Sequence, residues 1–487
     1  MEVKLSDENS RRQQKLTSEP PSLDRIEEDI SSTNPSTQRD AILHLLSQDT
    51  SSVSEDLIQS LTNILNSSPQ KDSEPSDTTQ HVLLSEAAIA ALLTLASKSP
   101  TALPKEALVA ASAYTNPDDK WSSETSAQLA SSLLATSLDT EEERQDFIVG
   151  PVLQSYLRPI FSKGSGNTSV TAEGRPAAFR EPAQNAPRPP AEAAWKEAGP
   201  QVVSIFQSAV TSANEATLAK NWPLFIPVLV TLCEDNETRF RLRGLHILNT
   251  FLQKCPMDVI RSSGVDAVFQ EAVFPTLLFM PNVTPEEESV QLLRAAYKVL
   301  LSLALIDSDV DAKKRLALLD KVLREGVLTG YFHAAQHIHI VQVIFESAAD
   351  VIDGLQIAAV KHLQKLLNLF SSVMTDAFAL AYPPAVLAAA KALNTTILNC
   401  WPRLAGTSHA EQIVHITSIA WTNLQNHKAD EHQSELSSLA KELSRTSELL
   451  AALWRENKQA PPKKLLSLLE KQPHLQPLFA SLGSSSK

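Results

Sequence analysis

Two apolar stretches hinged on a polar corner constrain this chain more than anything else in it. Trp222 to Leu232 reads WPLFIPVLVTL. It is apolar almost all round, as a helix buried between neighbours is. Glu234, Asp235 and Asn236 interrupt it. Beyond them Leu242, Leu245, Leu248 and Leu252 return at helical spacing, with Ile247 and Phe251 beside them. Arg239 and Arg243 lie four apart on the wetter side. Two antiparallel helices on a tight corner cannot bury their faces alone, so they demand a stack of similar pairs.

The corner itself has the pattern of a HEAT repeat: Asp235, then Arg241, then the small Gly244. Such an Asp can accept hydrogen bonds from exposed helix amides and from an Arg of the adjacent repeat. The small residue lets the two helices approach closely. Asp235, Arg241 and Gly244 are therefore the expected structural residues. Alternate residues on a helix point about 200° apart, so Arg239, Arg241 and Arg243 cannot share one role. Arg241 fits the internal ladder. Arg239 and Arg243, with Trp222, are the candidate partner contacts, Arg being enriched at interface anchors.

The same region carries a family resemblance. Trp222-Pro223 through Pro227, and Arg241-Leu242-Arg243-Gly244-Leu245, resemble the signature of the Tti2 family of TELO-interacting proteins. So do Gly264-Val265, Phe274-Pro275, Leu278, Met280-Pro281 and Thr284-Pro285-Glu286-Glu287-Glu288-Ser289. At the corner the chain has Glu234, Asp235 and Asn236 where the family pattern has two acidic residues and an aromatic. The resemblance implies a HEAT-like subunit of the TTT complex. Its partners would be the two larger TTT subunits and, indirectly, the Hsp90 machinery and the phosphatidylinositol-3-kinase-related kinases that it helps to mature.

Composition narrows the alternatives. Gly is 12 of 487 residues, well below the usual ~7%. That disfavours folds built on tight β-turns or Gly-rich phosphate loops. The net charge of −13 repels nucleic-acid phosphates unless a basic patch is segregated. The longest basic run, Lys313-Lys314-Arg315, reads as a solvated helix face. Cys233, Cys255 and Cys400 are odd in number and widely spaced, which fits buried free thiols in a reducing compartment. Met1-Glu2-Val3-Lys4 lacks an apolar signal core, and uninterrupted apolar runs such as 225–233 fall short of the ~20 residues that span a bilayer. A soluble protein of the cytoplasm, with access to the nucleus, is expected. Neither membrane nor direct nucleic-acid partners are.

The organisation follows from the same patterning. Residues 1–34 are polar and Ser-rich and read as a disordered tail. A first helical arm spans 35–161. Residues 162–193 hold eight Gly and Pro residues, among them Gly164, Gly174, Pro176 and Pro190, and read as a disordered linker. Helices return over 194–482, and 483–487 should fray. Helices are placed near 265–280, 285–306, 311–325, 332–348 and 353–373, pairing about every forty residues. Thr284-Pro285-Glu286-Glu287 reads as a capped start. The fold class is all-α, a HEAT or armadillo-like α-solenoid of antiparallel helix pairs.

Catalytic signals are poor. No Walker loop, nucleophile elbow or His-Glu-x-x-His is present. His333 and His337 would share a helical face, as metal ligands must, but His339 falls about 200° from His337 and no carboxylate stands at matching helical spacing before Glu346. Asp307 to Asp311 opens like a calcium loop, yet Ala312 and Leu318 stand where Gly and Glu belong. The expectation is a non-enzymatic scaffold with no cofactor and no metal. A karyopherin-like cargo adaptor is the alternative, although its tandem Trp-Asn positions are interrupted here, at Trp421-Thr422-Asn423. An enzyme would need a metal at His333 and His337.

Overall fold

Every regular element among the described residues is helical. The computed structural model describes residues 3–16, 21–48, 54–67, 75–98, 102–162, 194–306, 312–427 and 432–483. The helix starts have local causes. The Ser54 side chain accepts the Leu57 amide at 3.1 Å, and Ser123 accepts that of Ser126 at 3.1 Å. Thr140 and Glu143 cap one another reciprocally, and Pro35 opens the Pro35–Ser47 helix behind Asn34.

The chain divides into two compact units, Met1–Thr231 with Gln253–Pro256, and Leu232–Leu252 with Met257–Lys487. In the first, the Pro75–Lys98 helix lies between Pro35–Ser47 and Glu124–Ser137. Its Ala87, Ala88, Ile89, Ala90 and Leu92 are fully buried. In the second, Glu286–Ile306, Ile338–Leu355, Pro383–Leu404 and Gln433–Glu456 stack side by side. Leu363–Met374 and Ser408–Asn426 form part of a second row against them. Phe345 and Phe370 meet between the rows, ring centroids 5.7 Å apart. This two-row stack of helix pairs is what the periodic leucines require.

Several sequence expectations need correction. Residues 1–34 contain two helices, Asp7–Lys15 and Leu23–Ile30. The first is too polar to dock by hydrophobic burial. It is held instead by Asn9, whose amide donates to Leu83 O and to Glu86 and whose oxygen accepts from Arg39. The second buries Ile26 and Ile30. The boundary between units also falls elsewhere than at 162–193. Phe161 stacks on Trp195 at 5.7 Å, Gln201 donates to the Tyr114 hydroxyl at 3.3 Å, and Ser204 donates to Asp119 at 2.6 Å. The linker expectation for 163–193 and the tail at 484–487 lie outside the described residues.

Helix bounds differ from the sequence reading at two places. The helix expected over 265–280 starts at Val265, after Gly264 at φ +71, but ends at Val273 and continues as the short 3-10 helix Phe274–Leu278, and Met257–Ser263 is a helix that reading did not place. Ile338–Leu355 starts later than expected and ends later, at Gln356 with φ +51. Counting unbroken apolar runs also understated three helices. Asp77–Lys98, Glu215–Glu234 and Glu286–Ile306 are long and apolar enough to cross a membrane by length and composition. Their apolar windows are 67%, 50% and 61% buried against other helices.

Candidate protein–protein interface at the helix corners

The first corner, 234–238, is built by one turn and one arginine. Asp235 accepts the Glu237 amide on Oδ1 at 2.8 Å, which closes the turn and starts the Thr238–Lys254 helix. Arg241, only 4% exposed, donates from Nε to Asp235 O at 2.8 Å and from Nη2 to Glu234 O at 3.0 Å. Its Nη1 reaches Thr276 Oγ1 at 3.0 Å, and its guanidinium lies over the Phe279 ring. The sequence reading had Asp235 accept from an Arg of the adjacent repeat. Here Arg241 belongs to the same pair and holds main-chain carbonyls of the preceding helix end, and Thr276 is the tie to the next pair. Burial pushes the Arg241 pKa down, against the pull of Cys233, Asp235 and Glu234. At Gly244 an added Cβ would stand 2.7 Å from Leu232 Cβ and 2.9 Å from Leu232 C. The helices touch backbone to backbone there.

The candidate contact residues fall in two units. Trp222 is half-buried and belongs to the first unit. Arg239 and Arg243 belong to the second. Arg239 is exposed, pairs with Glu237 at 2.8 Å and covers the Phe240 ring; Arg243 is half-buried.

The corners that follow hold residues whose convergence the sequence concealed. His333 ends one short helix, Gly330–Ala334, while His337 is the residue before the next, at φ −105 and ψ 92. The helical phase that would have paired His333 with His337 is broken. His337 and His339 instead both turn to Glu286, at the start of Glu286–Ile306. His337 Nδ1 is 3.1 Å from Oε2 and His339 Nδ1 2.8 Å from Oε1. The His339 bond, more than the His337 one, pulls the Glu286 carboxyl below its usual value against its partial burial. Each ring nitrogen is engaged by a different oxygen of the one carboxylate. Among the described residues no group of three or more His, Cys, Asp or Glu side chains is arranged to hold a metal.

The chain of contacts continues along the same edge. Thr238 donates to Glu288. His339 meets the Tyr382 ring edge-on at 4.7 Å, and Tyr382 meets His432 at 6.3 Å. The Tyr382 hydroxyl donates to Gln342 at 2.7 Å. Each link joins the start of one helix to the start of the next in the stack.

The other candidates stand as follows. Lys313 and Lys314 are exposed on the Ala312–Lys321 helix. The calcium-loop residues Asp307 to Asp311 lie outside the described residues. Trp421 is nearly buried and donates to His474 O at 3.2 Å, while Asn423 donates to Asp376 O. Burial pushes the Cys233 thiol up to about 12 and those of Cys255 and Cys400 to about 11, far from a reactive thiolate.

Helix pairs tied corner to corner around buried apolar rows define a helical-repeat protein. A family model, the Tti2 family, matches residues 107–381, more than half of the 487 residues. The chain belongs to the Tti2 family. No curated protein matches it. Among solved structures it aligns with importin beta in an ammonium sulfate condition at 10% identity and a TM-score of 0.42, covering 96% of this chain and 56% of that one. It aligns with Kap121p bound to Ste12p at 11% identity and a TM-score of 0.40, covering 89% and 46%. The chain thus spans about half the length of these structures. Superpositions this loose decide nothing about function.

Proposed function

We propose that this protein is a non-catalytic subunit of a TTT-type complex. It binds the two larger subunits and, with the Hsp90 machinery, supports maturation of phosphatidylinositol-3-kinase-related kinases in the cytoplasm and nucleus. The observation that carries the reading is the family match over 107–381. The architecture supports it, because tied helix pairs supply broad rigid surfaces. Trp222, Arg239 and Arg243 are the contact residues of this proposal. Arg241, Asp235 and Gly244 hold the corner that presents the two arginines.

Co-expression of the full chain with both larger subunits, followed by size-exclusion chromatography with light scattering, tests the reading. A stoichiometric ternary complex is expected. Arg239→Glu with Arg243→Glu should weaken assembly, and a circular-dichroism melt of the variant establishes that it is folded. Depleting the protein should lower steady-state kinase levels. A chain that elutes alone beside its intended partners, and whose loss leaves kinase levels unchanged, would refute the assignment.

A further inference from the structure

The four most exposed large apolar side chains among the described residues share one edge of the second unit. Leu278, Val283, Phe332 and Phe378 are 70%, 82%, 81% and 84% exposed, and the next, Leu305, is 57%. Leu278 ends the short 3-10 helix Phe274–Leu278, and Val283 lies in the turn between it and Glu286–Ile306. Phe332 lies just before Ile338–Leu355, and Phe378 just before Pro383–Leu404. These are three successive corners, the same ones tied together through Glu286, His337, His339 and Tyr382. Scattered exposed apolar residues are ordinary, but a row of them on a braced edge marks an interaction surface.

Charge selects the occupant. The three corners, 279–288, 331–339 and 375–382, contain Glu286, Glu287, Glu288 and Asp376 but no Lys or Arg. Glu287, Glu288 and Asp376 are exposed. A second copy would bring the same acidic edge, and anionic lipid or nucleic acid would be repelled. A basic protein segment is attracted. Spacing selects its form. Neighbouring packed helices lie about 8–10 Å apart, and Val283, Phe332 and Phe378 each precede the start of one of three neighbouring helices. Seven residues of α-helix rise about 10.5 Å.

We propose that this edge docks a basic amphipathic helix of a partner protein. Large apolar residues at every seventh position lie over Val283, Phe332 and Phe378, and Lys or Arg residues face Glu287, Glu288 and Asp376. The surface is opposite in sign to the Arg239–Arg243 face and stands whether or not that face binds a TTT subunit.

The probe is a fluorescein-labelled three-heptad peptide with Leu at every seventh position among Lys, Gln and Ala. Its control has the same composition with the Leu residues scattered. Both are titrated by anisotropy against the full-length protein. The patterned peptide should bind at least about tenfold more tightly than the control, a difference well beyond error. Val283→Ser with Phe332→Ser and Phe378→Ser should lose about tenfold or more. So should Glu287→Lys with Glu288→Lys, which leaves the apolar row intact. Unchanged circular-dichroism melts establish that each variant is folded. The proposal is overturned if the two peptides bind alike, if the patterned peptide does not bind, or if either variant binds like the wild type. A dimer seen by light scattering and lost in the triple-Ser variant also overturns it, in favour of a second copy.

Discussion

Gly244→Ala should destabilise the protein, although Ala is the better helix former. The gain is simple: Ala exceeds Gly in a helix interior by ~1 kcal/mol. The loss is local. The new Cβ would meet Leu232 Cβ at 2.7 Å, Leu232 C at 2.9 Å and Cys233 N at 3.0 Å, where ordinary contact begins near 3.4 Å. Two of these three atoms are main chain and cannot rotate aside. The helices must part by several tenths of an ångström beside buried Leu245 and Leu248. Overpacking typically costs ~1–3 kcal/mol, and a clash with backbone belongs at the upper end. The net loss should be ~1–2 kcal/mol. Gly150 supplies the control, since a Cβ there meets nothing within 4 Å. Gly150→Ala should gain up to ~1 kcal/mol through propensity and unfolded-state entropy. Urea unfolding followed by far-ultraviolet circular dichroism measures both. The reasoning fails if Gly244→Ala is as stable as the wild type while Gly150→Ala shows its gain.

Arg241→Met should cost ~2–4 kcal/mol in the same assay, because it leaves buried Thr276 without its donor at ~1–3 kcal/mol, while the carbonyls of the half-buried Glu234 and Asp235 can turn to water and add only about 1 kcal/mol together. Asp235→Ala should cost ~0.5–2 kcal/mol, the usual loss for a helix-start acceptor, and a neutral result would show the turn closes without it. Burial alone would raise the Asp320 carboxyl, but bonds from Lys361, His362 and Arg324 outweigh it and hold the pKa at about 2. That value lies below the unfolded ~3.9, so the stabilisation is present above ~pH 4 and lost as pH falls toward 2. Asp320→Asn should therefore be less stable at pH 7 and equal to the wild type near pH 2, and a gap independent of pH would refute the linkage. A double-mutant cycle of His339→Ala and Tyr382→Ala should give a coupling of ~0.5 kcal/mol, at the low end for ring pairs because His339 is half exposed; strict additivity would deny the contact.

The helices were legible because their cause is local. Leu245, Leu248 and Leu252 announce a buried face by spacing alone, and the structure buries all three, while Leu242 at the head of the row is only half-buried. The corner contacts were not legible, because they depend on which helix starts meet. Glu286 and His337 are fifty-one residues apart, and no window of sequence contains both. Treating 332–348 as one helix also sent His339 to the wrong side. The break at 335–337 frees His337 from helical phase, and only then can both rings turn to one carboxylate. The helix at Asp7–Lys15 escaped for a different reason. It docks through Asn9, Arg12 and Ser6, so a search for apolar periodicity passes over it.

The two kinds of corner contact divide the work of a scaffold. Arg241 satisfies main-chain groups from inside, and its removal is felt by the fold. Glu286, His339 and Tyr382 lie at the surface, where exposed polar pairs contribute little to stability. A linkage that adds little free energy can still fix the relative placement of successive helix starts. Val283, Phe332 and Phe378 are carried on those same corners, so holding the corners fixes the spacing of the three apolar side chains. A helix that inserts against all three gains from spacing set in advance, because less ordering entropy is lost on binding. Tyr382 would then matter more to docking than to folding. Its loss should leave unfolding nearly unchanged while weakening the patterned peptide, whereas Arg241→Met should reverse that order.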